Sequence, residues 1–101
     1  MRTTAISIAL LVLALAAPAD AADTAAGREL ALRWCAACHL VVENQQRAPT
    51  VAPSFASIGR RPGFNAASLA RSMLAPHPQM PDRGLSREQA EDIAAYIATL
   101  R

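Results

Sequence analysis

Apolar residues follow two different patterns along the chain. One uncharged run rich in Leu and Ala, Ile6 to Ala17, lies near the N-terminus, and three helical stripes separated by proline-bearing loops follow it. No segment shows the strict apolar–polar alternation that is typical of a half-buried strand. The pattern therefore predicts an all-α domain preceded by a separate N-terminal segment.

The first two stripes predict two helices joined by a long loop. The first helix is expected from about Thr24, as its N-cap, to Cys38. The second is expected from about Ala66 to Ala75, with Asn65 as its cap and Pro76 as its stop. The loop between them, residues 40–63, contains three prolines and one short helical turn at Phe55–Ile58. A loop this long in a small domain is unusual unless it wraps around something.

The third stripe has the clearest start. Ser86 and Gln89 have the spacing of a capping box. Ile93, Ile97 and Leu100 then recur at helical intervals and form an apolar stripe. We expect the last main helix to begin after Ser86 and to reach the C-terminus.

The N-terminal run has the features of a secretory signal. Arg2 precedes the apolar run, and Ala19-Asp20-Ala21 fits the small-x-small cleavage rule. We therefore predict a signal peptide over residues 1–21 and one domain over residues 22–101. The alternative is an uncleaved membrane anchor, because the uncharged run is close to the lower length limit of a spanning helix.

Composition narrows the class of protein further. The 101-residue chain has a net charge of +2, and all ten of its basic residues are arginine. This small surplus argues against a nucleic-acid binder, which needs a concentrated basic face. The predicted domain is rich in alanine and poor in large apolar residues, so it is expected to need a further element to complete its core.

The sequence Cys35-Ala36-Ala37-Cys38-His39, called here the attachment motif, supplies a candidate for that element. C-x-x-C-H is the attachment sequence of c-type haem: two thiols three residues apart bind one porphyrin edge, and the next residue is an imidazole for the iron. Three alternatives are a structural disulfide, a thioredoxin-like dithiol and a zinc site with His77 as fourth ligand. A disulfide explains neither the histidine nor the thin core, and a thioredoxin-like dithiol needs a βαβ setting that the sequence lacks. A zinc site needs a fourth ligand, for which only His77 is left.

The whole predicted domain resembles a small bacterial class I cytochrome c. Gly27 and Tyr96 occupy the positions at which helices of that family cross, and Pro53 matches the proline whose carbonyl orients the proximal histidine. Met80-Pro81 matches the segment of the distal ligand. The resemblance implies a cytochrome c fold: three main helices and long loops around one covalent haem c, with His39 and Met80 as iron ligands.

The sixth iron ligand has three candidates in the sequence. Met73 lies on the apolar face of a predicted helix and is expected in the core. His77 and Met80 are three residues apart in a proline-rich segment, so both point to the same side of a polyproline-II helix. The sequence pattern alone does not decide whether His77 or Met80 is the sixth iron ligand. The resemblance favours Met80.

Arg60 and Arg61 are candidate contacts of the haem propionates, because guanidinium groups pair well with carboxylates. The alternative is solvated loop charge. Trp34 could also reach a propionate through its indole N–H, although a core position is the simpler expectation.

Six-coordinate haem leaves no open iron position for a substrate, so we expect an electron carrier and not an enzyme. A bacterial exported carrier would be a periplasmic, soluble monomer without stable membrane insertion after signal cleavage. Its redox partners would be a dehydrogenase or a membrane respiratory complex on one side and an oxidase or reductase on the other. The alternatives are a haem sensor or peroxidase-like protein with a labile distal site, and a bound electron-entry subunit of a larger oxidoreductase.

Overall fold

The computed structural model describes residues 21–47, 51–75 and 79–101, and this part of the chain is helical without a β-strand. The predicted all-α class is therefore confirmed. The four helices are α1 (Thr24–Trp34), α2 (Phe55–Gly59), α3 (Ala66–Leu74) and α4 (Arg87–Ala98). The predicted signal peptide lies outside the described residues except for its last residue, and His77 lies outside them as well.

Helix α1 begins and ends earlier than the sequence pattern indicated. Asp23, not Thr24, is the N-cap, and its carboxylate accepts a hydrogen bond from the Ala26 N–H at 3.0 Å. The prediction that the helix reaches Cys38 is wrong, because α1 ends at Trp34. The backbone then forms a tighter turn in which the Cys35 carbonyl accepts hydrogen bonds from the N–H groups of both Cys38 and His39.

The other three helices also begin at side-chain caps. Asn65 caps α3 as predicted, whereas Ser54, which the sequence did not single out, caps α2, the short helical turn expected at Phe55–Ile58. Helix α4 has the full reciprocal capping box between Ser86 and Gln89. Its regular part ends at Ala98, since the Thr99 and Leu100 N–H groups bond three residues back and close a tighter final turn.

Helix α4 forms the centre of the domain, and α1 and α3 pack against it. Helix α1 crosses at Gly27, next to the backbone of Asp92 and Ile93. Tyr96, the other residue that the resemblance assigns to this crossing, lies one turn farther along α4 than Asp92. Its hydroxyl donates to the Val41 carbonyl at 2.7 Å.

The core is built from few large side chains. In the part of the chain that the structure describes, four of the nine buried apolar residues are alanines. The buried apolar set is Ala31, Val41, Phe55, Ala70, Ala90, Ile93, Ala94, Tyr96 and Ile97. Small alanines let α3 approach α4 closely but bury little apolar area. No helix in the described residues is long and apolar enough to cross a membrane.

Candidate haem site

A cavity of about 500 Å³ opens beside the end of α1. Its lining combines the attachment motif with apolar side chains from the loops before α2 and α4. Among the described residues, this lining contains two arginines and no carboxylate. The lining residues are Trp34, Cys35, Cys38, His39, Val51, Ala52, Pro53, Ile58, Arg61, Met73, Gln79, Met80, Pro81, Arg83 and Leu85. Segments distant in the sequence therefore form one mostly apolar slot.

The backbone of the attachment motif is held as a compact turn. The Cys35 N–H still bonds to the Ala31 carbonyl of α1 at 2.8 Å, while the Cys35 carbonyl accepts from Cys38 at 3.1 Å and from His39 at 2.9 Å. Both thiols line the cavity, and they are free rather than joined in a disulfide. The turn thus presents the two sulfur atoms and the following imidazole to one space.

The Cys35 thiol is electrostatically unlike an activated redox thiol. Burial raises the pKa of Cys35, with the nearby Arg83 guanidinium acting in the opposite direction and the Cys38 thiol adding to the increase. A reactive dithiol of the thioredoxin type needs a lowered pKa, which favours the thiolate. The site therefore argues against that alternative. Within the described residues, no three His, Cys, Asp or Glu side chains are grouped to hold a metal ion.

The imidazole of His39 has a fixed orientation. Its Nδ1 atom donates to the Pro53 carbonyl at 2.6 Å, the contact that the resemblance implied. The ring also lies 5.2 Å from the Phe55 ring, centroid to centroid, at an interplanar angle of 54°. A hydrogen bond at Nδ1 leaves Nε2 as the nitrogen that can bind a metal.

The loop before α4 brings a thioether to the same cavity. Met80 is half-buried and lines the cavity together with Pro81. A turn follows, in which the Asp82 carboxylate accepts from the Gly84 N–H at 2.8 Å and Gly84 has a φ of 64°. Such a φ suits glycine because it lacks a Cβ.

Met73 also lines the cavity, from α3, although the sequence placed it in the core. It does both, since its half-buried side chain also packs against the buried residues between α3 and α4. Two thioethers therefore border the space beside His39.

Of the two arginines that were candidate propionate contacts, only one lies at the cavity. Arg61 lines the cavity, whereas Arg60 is the exposed C-cap of α2 and is not part of the lining. Arg83, which the sequence did not single out, lines the cavity instead. No local pattern marks Arg83, because its position depends on the path of the loop after Met80. Trp34 lines the cavity, as a propionate contact would require.

The lining residues fit a covalently attached haem. Val51 is 82 % exposed, yet this large apolar side chain lines the cavity, so an apolar group seated there would cover it. Two thiols suit the vinyl groups of a porphyrin, the imidazole and the thioethers suit its iron, and the arginines suit its carboxylates. The chemistry of the lining matches each part of that cofactor.

An all-helical fold with this attachment motif at a mostly apolar slot defines a small monohaem c-type cytochrome. The chain belongs to the family described as cytochrome c oxidase, cbb3-type, subunit III, whose family model matches residues 22–97. It is also 50 % identical, over 96 residues, to a protein named cytochrome c-552 from Bradyrhizobium diazoefficiens; the alignment covers 95 % of this chain and 92 % of that relative. No solved structure matches the chain. The protein thus carries one covalent haem c and transfers electrons.

Proposed function

We propose that the protein is a soluble periplasmic carrier that moves single electrons through a six-coordinate haem c with His39 and Met80 as axial ligands. The observation that carries this proposal is that His39 and Met80 line the same cavity as the two motif cysteines. When bound, the haem supplies an iron that accepts and releases one electron. A thioether opposite an imidazole favours the reduced iron and raises the potential.

The residues of the chain support this role by holding the site still. Pro53 fixes the His39 ring, and the Asp82–Gly84 turn fixes the backbone just after Met80-Pro81. A carrier benefits from such rigidity, because little rearrangement then accompanies each change of charge. With both axial positions filled by side chains, no position remains for a substrate.

Export and maturation form part of the same proposal. Residues 1–21 would direct the chain to the periplasm and be removed there, leaving residues 22–101. The family match begins at residue 22, which agrees with a functional domain that starts after the predicted cleavage site. Thioether formation would join Cys35 and Cys38 to the porphyrin in that compartment.

The proposed partners are redox proteins on each side of the carrier: a dehydrogenase or membrane respiratory complex as donor, and an oxidase or reductase as acceptor. Ala37 is exposed at the motif and gives a partner access to the edge of the site. The protein would meet these partners as a monomer.

One comparison favours a second candidate, a bound electron-entry subunit of a larger oxidoreductase. The matching family is described by an oxidase subunit, so a permanent place in such a complex is a specific alternative. The likeness to cytochrome c-552 covers 92 % of that relative, and hence nearly a whole small protein. This second comparison supports the free carrier.

Spectra and mass of the protein purified from a periplasmic fraction test the proposal. We expect the mass of residues 22–101 plus one haem, a sulfur-to-iron charge-transfer band in the ferric form, and no carbon monoxide binding by the native ferrous form. Carbon monoxide binding would indicate the sensor or peroxidase-like alternative. Recovery only within a membrane oxidoreductase would indicate the bound subunit.

A further inference from the structure

The side chain of Gln45 makes hydrogen bonds to four backbone groups around the attachment motif. Its carbonyl oxygen accepts from the Val41 N–H at 2.9 Å. Its amide nitrogen lies 3.1 Å from the Ala36 carbonyl, 3.2 Å from the His39 carbonyl and 2.9 Å from the Arg47 carbonyl. One side chain thus joins the inside of the motif, its last residue and the loop that follows.

These contacts need a primary amide. Glutamine offers an acceptor oxygen and two N–H donors on one planar group, so it can serve an N–H and several carbonyls at once. Three carbonyls share two protons, and one proton is therefore bifurcated. Gln45 is half-buried, which reduces the competition from water for these bonds.

The loop that carries Gln45 is itself anchored to the rest of the fold. The Val41 carbonyl accepts from the Tyr96 hydroxyl of α4 at 2.7 Å, and the Leu40 carbonyl accepts from the Phe55 N–H at 3.0 Å. The hydrogen bonds of Gln45 therefore connect the attachment motif to a loop that is itself bonded to α2 and α4.

His39 is held at two points as a result. The Pro53 carbonyl fixes its ring, and Gln45 fixes its main-chain carbonyl. Gln45 also bonds to Ala36, which lies between the two cysteines. We propose that Gln45 is a positioning residue of the haem site: it fixes the main chain of the proximal ligand relative to the two thioether cysteines. The inference rests on His39 being the proximal ligand of the proposed carrier.

The proposal predicts a local effect at the His39 ring. Without the amide donors, the His39 backbone is free to shift, and the Nδ1–H contact with Pro53 then opens more often. Loss of the side-chain bonds to the Ala36 and His39 carbonyls should raise the opening frequency of this contact by about 10-fold or more. The α4 amides, which belong to the global fold, should change less.

Proton exchange in the ferrous holoprotein, followed by NMR, measures this effect. The variants are Gln45→Ala and Gln45→Glu, of which the second keeps an oxygen for Val41 but removes the donors. The matched control is Gln46→Ala, at the exposed neighbouring position. We expect the His39 Nδ1 proton to exchange at least about 10-fold faster in both Gln45 variants and at the unaltered rate in the control.

Three results would overturn the proposal. One is equal Nδ1 exchange in the Gln45 and Gln46 variants. Another is an equal acceleration of the Ile93 and Ile97 amides, which would indicate general destabilisation. The third comes from the unaltered protein, in which the Gln45 side-chain amide protons should exchange at least about 10-fold more slowly than those of Gln46; equal rates there would refute the inference even if no Gln45 variant folds.

The axial ligands are tested separately by the spectra and by carbon monoxide binding of the unaltered protein. An open distal position would therefore refute the carrier proposal without deciding the role of Gln45.

Discussion

Gly27 of α1 lies directly against the main-chain carbonyl of Asp92 in α4. A Cβ at Gly27 would overlap the Asp92 carbonyl and would lie 2.8 Å from the Ile93 nitrogen. These neighbours are backbone atoms in the middle of a helix, so they cannot rotate away. The crossing of α1 and α4 therefore depends on a residue without a side chain.

Gly27→Ala should destabilise the holoprotein by about 2 kcal/mol or more, because the two helices must separate to admit the methyl group. Helix propensity acts in the opposite direction and is smaller, about 1 kcal/mol. Denaturant unfolding of the ferric protein measures the change, with exposed Glu29→Ala on the same helix as control. Unchanged stability of the Gly27 variant would contradict the described crossing.

The Asp92 side chain makes a second connection between these helices. It is 8 % exposed and accepts from the Asp23 N–H at 2.7 Å, at the start of α1. Asp92→Ala should lower the free energy of unfolding by about 1–3 kcal/mol, since a backbone donor loses its partner. Glu91→Ala, at the exposed neighbour, should stay within about 0.5 kcal/mol of the unaltered protein. Equal effects of the two substitutions would show that the Asp92–Asp23 bond contributes nothing.

Tyr96 should make stability depend on pH in the alkaline range. Burial raises the pKa of Tyr96, while the charge of Arg28 and a hydrogen bond with it act in the opposite direction. The unfolded chain then loses the phenolic proton at lower pH than the folded protein does. Stability is complete below the ordinary value of 10.0 and falls as pH rises through the folded-state pKa.

Tyr96→Phe should remove this alkaline dependence and cost about 1 kcal/mol at neutral pH, because the Val41 carbonyl loses its donor. Urea midpoints of the unaltered protein and of the Tyr96→Phe variant, measured across that pH range, test whether Tyr96 causes the alkaline decrease in stability. The chain has a single tyrosine, so no other phenol contributes. The Cys35 thiol, whose pKa is also raised, does not titrate once it is a thioether. A variant that retains the full alkaline decrease would refute the assignment to Tyr96.

Met80→Ala should leave the covalent haem in place but free one axial position. We expect carbon monoxide binding by the ferrous form and a lower reduction potential, since a thioether favours the reduced iron. Met73→Leu and His77→Ala serve as comparisons, and both should retain the native spectrum. If either comparison variant opened the iron and Met80→Ala did not, the proposed distal ligand would be wrong.

Cys38→Ala tests how far folding depends on the cofactor. A variant that fails to attach haem should be poorly folded, because the buried apolar set is small and nearly half alanine. Circular dichroism and amide exchange should show loss of helix and of protection. A compact, helical, haem-free variant would contradict this expectation.

The starts of α3 and α4 could be predicted from the sequence, whereas the end of α1 could not. Ser86 with Gln89, and Asn65, are local signals, and the structure has caps at both places. The end of α1 follows from the turn that the Cys35 carbonyl organises, which overrides a continuing helical pattern. Asp23 is the N-cap of α1 where Thr24 was predicted. Both residue types can accept a hydrogen bond from a backbone N–H of the first turn, so the sequence does not distinguish them.

Some residues of the site could likewise be predicted from the sequence, and others could not. The attachment motif and Met80 have sequence signatures, and the resemblance supplied the pairing of His39 with Pro53. Gln45 and Asp92 carry no such signature, because their contacts depend on the folded path of the chain; Asp92 meets a residue 69 positions away. For the same reason no sequence pattern distinguishes Arg83, which lines the cavity, from Arg60, which does not.

The exposed side chain of Val51 has a consequence for the protein before haem is attached. Before cofactor attachment, this valine and the other apolar residues that line the slot face water, and such surfaces promote association between newly made chains. Loading the porphyrin conceals them. Solubility and maturation are thereby coupled, and a shortage of haem should appear as precipitated or degraded protein before it appears as a colourless soluble pool.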